Sequence, residues 1–215
     1  MADLSPLEVA RRSPQAVAAQ DQGAWIALFT ADAEVHDPVS SPGHAHPALR
    51  AFWATFIAGN AIRFEVHQDL ESVDHAVRDV TIHTGFPSGA VLQVPAHLRY
   101  EVVQGRIRRL HAHWELGPMI VQVTLAGPRA WWASTLTFLR MARYMGLVGT
   151  VAYLRGLHTV GERGRRALRA WAGEHGLALE KVLAAGRHVT ASVIGGGVLF
   201  ATYERGGLSE VTRYP

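Results

Sequence analysis

The sequence predicts an α+β fold, in which a cone of helices packs against a curved antiparallel sheet. Apolar residues recur at helical spacing between residues 7 and 29 and again between residues 48 and 57. From residue 62 the period changes to two, and turns that contain Gly or Pro separate the alternating segments. Helices followed by consecutive hairpin strands are typical of proteins whose helices cover one face of an antiparallel sheet.

The first half of the chain is predicted to contain three helices and five strands. Asp21-Gln22-Gly23 divides the first helical region into two helices, and Pro47 suits the first turn of the third. A strand at 33–36 ends at an Asp-Pro dipeptide, and residues 41–46 are predicted to form a loop. The four later strands are predicted at residues 63–70, 75–86, 91–103 and 106–115.

The composition changes at Gly117-Pro118, where the first domain is predicted to end. The predicted domains are residues 1–117, a helical connector at 118–158 and a C-terminal unit at 159–215. The C-terminal unit is predicted to hold one helix and a small antiparallel sheet of three strands, at residues 187–194, 198–204 and 208–214. Its weak sequence echo of the first domain is interpreted as a partial repeat, and it has no Asp-Pro dipeptide, so no second catalytic site is predicted.

Charge is distributed unevenly along the chain. Residues 1–116 contain 9 arginines and 13 carboxylates, a net charge of −4, whereas residues 117–215 have a net charge of +7. A basic half indicates an acidic partner, an anionic surface or the chain's own acidic half. The arginines do not cluster with stacking aromatic residues in a recognisable module, so no nucleic-acid partner is predicted.

Several classes of site and location are disfavoured by composition. The chain has no cysteine, which excludes disulfides, thiolate metal sites and a cysteine nucleophile. His44 and His46 could bind a metal, but solvated loop histidines are the favoured interpretation, so neither a metal nor a cofactor is predicted. The first residues lack the pattern of a signal peptide, which predicts a cytoplasmic location.

The helical connector is apolar enough to be considered as a segment that spans or contacts a membrane. Its apolar run is about ten residues long, whereas a helix needs roughly 20 to span a bilayer. Trp131 and Trp132, next to arginines, would suit peripheral contact of residues 127–158 with a membrane interface. Packing of this stripe on the first domain, or on a second subunit in a homodimer, is the favoured interpretation.

Asp37 is the leading candidate for catalysis. Pro38 biases Asp37 towards an extended backbone at the end of a strand, where a carboxylate can point into a cavity. Burial there would raise its pKa towards neutrality, which suits a general base. The alternative is that Asp37-Pro38 simply starts a turn.

Residues 29–39, FTADAEVHDPV, resemble the base-bearing segment of the ketosteroid isomerase branch of the NTF2-like (SnoaL-like) superfamily. The resemblance covers residues 8–116, and further matching strings lie at residues 51–53, 97–100, 105–107 and 112–114. It implies that Asp37 removes a proton beside a ketone. The family's two oxyanion donors, a helix tyrosine and a protonated aspartic acid, fall near Ser13 and on Ala96. Because the loss of one such donor can cost about 10²–10³ in rate, the departures imply related but different chemistry.

Other candidate site residues are distributed over the third helix and the later strands. Tyr100 shares a strand face with Ala96 and is a candidate replacement donor, while ordinary core packing remains the alternative for Tyr100 and Trp114. His83 could act as an acid oriented by Asp79, if the polar row of their strand lines a pocket rather than facing water. His111 and His113 alternate with Trp114 and so face away from the cavity or into an interface. The predicted substrate contacts are Trp53, Phe56, Asp79, Ala96 and Trp114.

Two functional hypotheses follow from these residues. The first is an isomerase or lyase type of enzyme, in which Asp37 is the general base for a hydrophobic polycyclic or polyketide-like molecule. Isomerisation, dehydration, cyclisation and epoxide opening all fit this scheme. The alternative is a non-catalytic NTF2-like ligand-binding or interaction module. A raised Asp37 pKa without a histidine partner would favour binding alone, whereas an Asp37–histidine contact would favour catalysis.

Overall fold

The computed structural model describes residues 4–215 and confirms the α+β class, with six α-helices and ten strands in that range. Residues 1–3, which belong to the segment on which the prediction of a cytoplasmic location rests, lie outside the described range. The helices are α1 (Pro6–Ala18), α2 (Gln22–Ala27), α3 (Leu49–Phe52), α4 (Leu116–Leu125), α5 (Pro128–Leu154) and α6 (Gly161–Glu174). The strands are β1 (Phe29–His36), β2 (His44–Ala45), β3 (Ala61–Glu71), β4 (His75–Gly85), β5 (Val91–Val103), β6 (Arg106–His113), β7 (Leu179–Ala185), β8 (His188–Val193), β9 (Val198–Glu204) and β10 (Gly207–Tyr214).

The N-terminal helices begin at residues whose side chains cap them. Ser5 and Glu8 form a reciprocal capping box at the start of α1. The break predicted at Asp21 is confirmed, because its carboxylate accepts the Ala24 N–H at 2.8 Å and begins α2. The third predicted helix is irregular, since α3 continues into a π-helical turn at Trp53–Ile57.

The first sheet has the strand order β2-β1-β6-β5-β4-β3. Strands β3 to β6 are antiparallel as predicted, but β1 runs parallel to β6, so the sheet is mixed rather than antiparallel throughout. Parallel neighbours need a long connection, and here that connection contains α3 and four strands, β2 to β5. The loop predicted at residues 41–46 also contributes β2, which pairs Val35 with His44.

The C-terminal unit forms a second sheet, with the order β10-β9-β8-β7. The three predicted strands are present, and β7 is a fourth, so the prediction of a three-stranded sheet is corrected. The sequence of β7 lacks a clear alternation, because the adjacent Glu180 and Lys181 interrupt its apolar residues. A helix followed by a four-stranded meander repeats the order of α3 and β3 to β6, which fits the predicted partial repeat. The domain boundaries remain a prediction.

The second sheet is buried on both of its faces. On one face, Leu168 and Ala172 of α6 pack against Val189 and Leu199. On the other face, the sheet covers the outer surface of the first sheet through the apolar cluster Leu70, Val77, Val198, Phe200 and Tyr214. A homodimer through this part of the first sheet is therefore blocked by the chain itself.

A buried polar network also joins the two sheets. The His97 ring lies 2.7 Å from the Thr190 hydroxyl and 2.9 Å from the Ser192 hydroxyl. Ser192 donates to the Asp79 carboxylate at 2.5 Å, and the Lys181 ammonium contacts the same carboxylate. Burial alone would raise the pKa of Asp79, but the contacts with His97, Lys181 and Ser192 hold it far below its usual range. Asp79 is therefore a charged anchor between the sheets.

Four histidines form a second cluster between the sheets: His36, His111, His113 and His188. Ring centroids are 5.1 Å apart for His36 and His111 and 5.7 Å apart for His113 and His188. Burial is the main cause that lowers the pKa of His111 to about 3 and that of His188 to about 4, and the neighbouring Arg99 guanidinium adds to it. The same causes, with the nearby histidines, hold the pKa of His113 well below its usual range. These three rings are therefore neutral at neutral pH.

We expect Asp79→Asn to lower the free energy of unfolding by about 3 kcal/mol, because it leaves the largely buried Lys181 ammonium without its counter-charge. Urea unfolding followed by circular dichroism measures this loss. The matched control is Arg187→Gln, which breaks an ion pair whose side chains are 64% and 42% exposed and should cost less than about 1 kcal/mol. Equal losses for the two variants would contradict the anchoring role.

The neutral histidine cluster predicts acid sensitivity. The unfolded chain protonates these histidines near pH 6.5, whereas the folded chain does so only below about pH 4. The free energy of unfolding should therefore fall below pH 6.5, by up to about 2 kcal/mol per histidine at pH 5. Urea titrations at pH 7 and pH 5 test this, and His188→Gln should reduce the difference while the exposed His158→Gln leaves it unchanged.

Candidate active site

An apolar cavity of about 390 Å³ lies between the first sheet and the helices. The strands supply Ile82, Val94 and Leu98 to its wall, and the third helical segment supplies Phe52 and Phe56. The volume falls within the range of pockets that hold small molecules. The alternation of the strands thus directs one row of apolar side chains into the cavity and the opposite row outwards, where Leu70 and Val77 meet the second sheet.

The C-terminal extension builds one wall of this cavity. Residues that line it include Leu116 and Met119 from α4, and Phe138, Met141 and Tyr153 from α5. Residues 118–158, predicted as a connector, therefore belong to the candidate site. The inner stripe of α5 packs on the first domain, as the favoured sequence interpretation proposed.

The Asp37 carboxylate is buried in the wall of the cavity. Its Oδ1 accepts the indole N–H of Trp114 at 2.5 Å, and the Val39 N–H donates to the Ala112 carbonyl at 2.8 Å, which holds this segment beside β6. The Asp37–Pro38 peptide bond is cis. Burial raises the pKa of Asp37 to about 6, and the Trp114 hydrogen bond lowers it only partly. The carboxyl group can therefore exchange a proton near neutral pH.

Two tyrosines line the same cavity and respond to the charge of Asp37. Burial raises the pKa of Tyr100 to about 12, and the Asp37 carboxylate contributes to the rise. Burial and then the Asp37 charge raise the pKa of Tyr153 well above its usual value. Both hydroxyls therefore stay protonated and can act as hydrogen-bond donors to a ligand. Ser13 lines the cavity beside Tyr100, at the position where the resemblance would place a tyrosine.

The loop after Asp37 positions Tyr153. The Ser41 hydroxyl donates to the Tyr153 carbonyl at 3.1 Å, and the Ser40 hydroxyl donates to the Gly156 carbonyl at 3.2 Å. These bonds satisfy carbonyls at the C-terminal end of α5. The Tyr153 ring stacks on Phe56, with centroids 5.2 Å apart. Tyr153 could not be predicted from the sequence, because it is 116 positions from Asp37 and outside the segment that carries the family resemblance.

His83 and Asp79 lie on the wrong face of β4 for the roles predicted for them. The His83 ring lies 2.8 Å from the Glu65 carboxylate, whereas Ile82 and Thr84 point into the cavity. Asp79 faces the second sheet. The prediction that the polar row of β4 lines a pocket is therefore wrong. The row with Ile82 and Thr84 lines the cavity, and the row with Asp79 and His83 faces away from it.

The predicted substrate contacts divide into two groups. Phe56 and Trp114 line the cavity, and their roles, like those of Asp37 and Tyr100, remain predictions. Trp53 instead packs against Trp25 in the core at a centroid distance of 5.6 Å, and the Ala96 methyl group is too short to reach the cavity. The predicted substrate contacts of Trp53 and Ala96 are therefore corrected, because neither side chain lines the cavity.

The histidines considered as metal ligands are not arranged for one. Within residues 4–215, no group of three or more histidine or carboxylate side chains is placed to hold an ion. His44 is buried against Phe52, with ring centroids 5.1 Å apart, so it is not the solvated loop histidine that the sequence indicated.

No helix within residues 4–215 is long and apolar enough to cross a bilayer.

Helices packed over a curved sheet around an apolar cavity define a protein of the NTF2-like class. Residues 10–110 match the SnoaL-like domain family. The resemblance seen in the sequence is thereby confirmed. The search of curated proteins gives no match.

Solved structures with the same fold cover the first half of the chain. A Δ5-3-ketosteroid isomerase from Mycobacterium sp. is 28% identical, with a TM-score of 0.50, and the match covers 53% of this chain and 96% of that one. An LEH-like epoxide hydrolase of M. tuberculosis has a TM-score of 0.50 at 11% identity, over 56% of this chain and 90% of that one, which shows a shared fold. A third similar structure, at 28% identity and a TM-score of 0.48 over 53% of this chain and 97% of that one, is a Mycobacterium tuberculosis protein in complex with estradiol-17β-hemisuccinate.

The indole N–H of Trp114 should report the titration of Asp37. Because Trp114 donates to Oδ1, its ¹H and ¹⁵N shifts should change with an apparent pKa of about 6. Two-dimensional NMR of the indole region measures this change, and Trp114→Phe assigns the signal. Asp37→Asn should abolish the titration, and an indole signal that stays constant between pH 4 and pH 8 would contradict the raised pKa.

Proposed function

We propose that the chain is an isomerase or lyase type of enzyme that acts on a hydrophobic polycyclic or polyketide-like molecule, with Asp37 as the general base. The observation that carries this proposal is a buried carboxylate of raised pKa in the wall of an apolar cavity. A base whose pKa lies near the working pH transfers protons efficiently. Isomerisation, dehydration, cyclisation and epoxide opening remain the reactions under consideration.

The acid that complements Asp37 is assigned to a cavity tyrosine. A proton removed from carbon beside a carbonyl leaves negative charge on the oxygen, which a neutral hydroxyl can stabilise. Tyr153 is the first choice, since it lies close enough to Asp37 to respond to its charge and its backbone is held by the loop after Asp37. Tyr100 is the second choice. This assignment replaces the donors that the family resemblance would place at Ser13 and Ala96.

Similarity to the ketosteroid isomerase supports proton transfer on a hydrophobic molecule, because that structure is 28% identical over the cavity-bearing half. The added α4–α5 wall argues for a substrate that differs from that enzyme's. The homodimer and the cytoplasmic location both remain proposals.

A non-catalytic binding module is the second candidate, and one observation favours it. The hydrogen bond found at the Asp37 carboxylate comes from Trp114, and no histidine among residues 4–215 bonds to it. By the criterion set from the sequence, a raised pKa without a histidine partner favours binding alone. The tyrosines weaken that criterion, because either hydroxyl can serve the role reserved for histidine.

Asp37→Asn should decrease turnover by about 10²–10⁴, since it removes the general base while preserving the shape of the side chain. A panel of cyclic ketones, polyketide-like carbonyl compounds and epoxides, monitored by mass spectrometry, identifies the substrate and then measures this loss. The rate of the natural chain should rise with pH through about 6 and level off above it, because the charged form of Asp37 is the active one. Unchanged turnover in Asp37→Asn would eliminate the proposed role.

Tyr153→Phe should lower the rate by about 10²–10³, the cost of losing one oxyanion donor. Tyr144→Phe is the matched control, because it removes a hydroxyl from the same helix at an exposed position outside the cavity wall. A loss in Tyr100→Phe alone would assign the acid to Tyr100. Tight ligand binding by the natural chain without turnover, retained in all three variants, would identify a binding module instead.

A further inference from the structure

Exposed apolar side chains are concentrated on one element pair. Among residues 4–215, 16 large hydrophobic residues are exposed, and 12 of them lie between residues 120 and 157. Leu125, Leu147 and Val148 are 81%, 75% and 86% exposed. Contiguous apolar surface of this kind marks an interaction site. We define the outer face as the exposed side chains Val121, Leu125, Trp131, Trp132, Phe138, Leu139, Tyr144, Leu147, Val148 and Val151.

Most of the outer face belongs to the side of α5 that does not pack against the rest of the molecule. Ala130, Ala133 and Met141 of α5 are buried against the rest of the molecule. Trp131, Trp132, Phe138 and Leu139 are exposed on the part of α5 before Gly146, where the helix is interrupted by a φ of 73°. Leu147, Val148 and Val151 are exposed on the part that follows Gly146. Packing on the first domain therefore accounts for one stripe of α5 and leaves the other uncovered.

The charges around the outer face indicate which kind of partner it would bind. Residues 116–157 contain four arginines, Arg129, Arg140, Arg143 and Arg155, and no Asp or Glu. Two copies of the chain meeting through this face would bring six exposed arginines together, Arg129, Arg143 and Arg155 from each copy, without a carboxylate from these segments. Like charges at an interface oppose association. An anionic surface would instead pair with the three exposed arginines, whereas Arg140 donates to the Ala58 carbonyl at 3.1 Å.

The residue types match the boundary between lipid headgroups and acyl chains. Trp and Tyr are enriched at that boundary, and Arg side chains extend from it towards the phosphates. Trp131 and Trp132 are 53% and 60% exposed, and the Arg143 guanidinium lies 5.6 Å from the Tyr144 ring centroid. Since no helix of the described residues can cross a bilayer, the face would lie in the plane of the surface.

The cavity opens towards the same face. Ile120 and Phe138 line the cavity and are also 37% and 45% exposed. A surface that covers the outer face would therefore lie against the cavity mouth.

We propose that the outer face of α4 and α5 docks on an anionic lipid bilayer surface. Docking places the cavity mouth at the hydrocarbon boundary, so that a membrane-dissolved ligand can enter without crossing water. This second step rests on the proposed function, whereas docking itself does not.

Vesicle flotation of the full chain tests the docking. Vesicles of equal parts phosphatidylglycerol and phosphatidylcholine should bind the chain at least about tenfold more tightly than phosphatidylcholine alone, because Arg129, Arg143 and Arg155 are exposed on the same segment. Arg129→Gln with Arg143→Gln should remove most of that difference. The matched control is Arg106→Gln with Arg205→Gln, exposed arginines outside this face, which should retain it.

The apolar contribution needs its own pair of variants. Leu147→Gln with Val148→Gln should weaken binding at least about tenfold, since two side chains no longer enter the acyl region. Val73→Gln with Ile194→Gln is the control, because both residues are exposed but lie far from α4 and α5 in the sequence and in the fold. Circular dichroism confirms that all variants fold.

Three results would overturn the proposal. The first is no flotation of the natural chain, and the second is equal loss in the outer-face and control variants. The third is a dimer, measured by sedimentation equilibrium, that Leu147→Gln with Val148→Gln converts to a monomer while vesicles bind neither form. Asp37→Asn should float like the natural chain, so a failure of catalysis is distinguishable from a failure of docking.

Discussion

The candidate site depends on the removal of the Asp37 carboxylate from water. A carboxylate in an apolar wall favours its protonated form, and the single indole hydrogen bond from Trp114 offsets this only in part. The surroundings that exclude water come from both halves of the chain, because Met119, Phe138 and Met141 complete a wall that the SnoaL-like domain alone lacks. The C-terminal extension thus contributes part of the wall of the cavity that contains Asp37.

The second sheet covers the outer surface of the first sheet, which would otherwise be exposed to solvent. An uncovered sheet surface that contains Val77 and His97 would be a site of association. The chain covers it with its own strands, using an apolar cluster around Phe200 and an ionic anchor between Asp79 and Lys181. Buried ion pairs contribute little net stability compared with apolar packing, so we interpret this one as a device that sets the relative position of the two sheets.

Much of the fold could be predicted from the sequence, because helices and strands differ in apolar period and their ends are marked by local chemistry. The helix break at Asp21 and the strands β3 to β6 were located in this way, and Pro38 directed attention to Asp37. The misses have equally specific causes. Strand β7 was missed because Glu180 and Lys181 obscure its pattern, and the parallel pairing of β1 with β6 leaves no trace in either strand's residues.

The sequence by itself determined most helices and strands and the candidate base, since periodicity, capping and the backbone restriction of proline act over a few residues. Only the tertiary structure decided which face of each strand lines the cavity, and so excluded His83 and Asp79 from it. Only the tertiary structure brought Tyr153 beside Asp37, through hydrogen bonds from Ser40 and Ser41 to the end of a distant helix. The physical reason is that burial and the pKa of a buried group depend on what packs against a residue, and those neighbours come from remote parts of the chain.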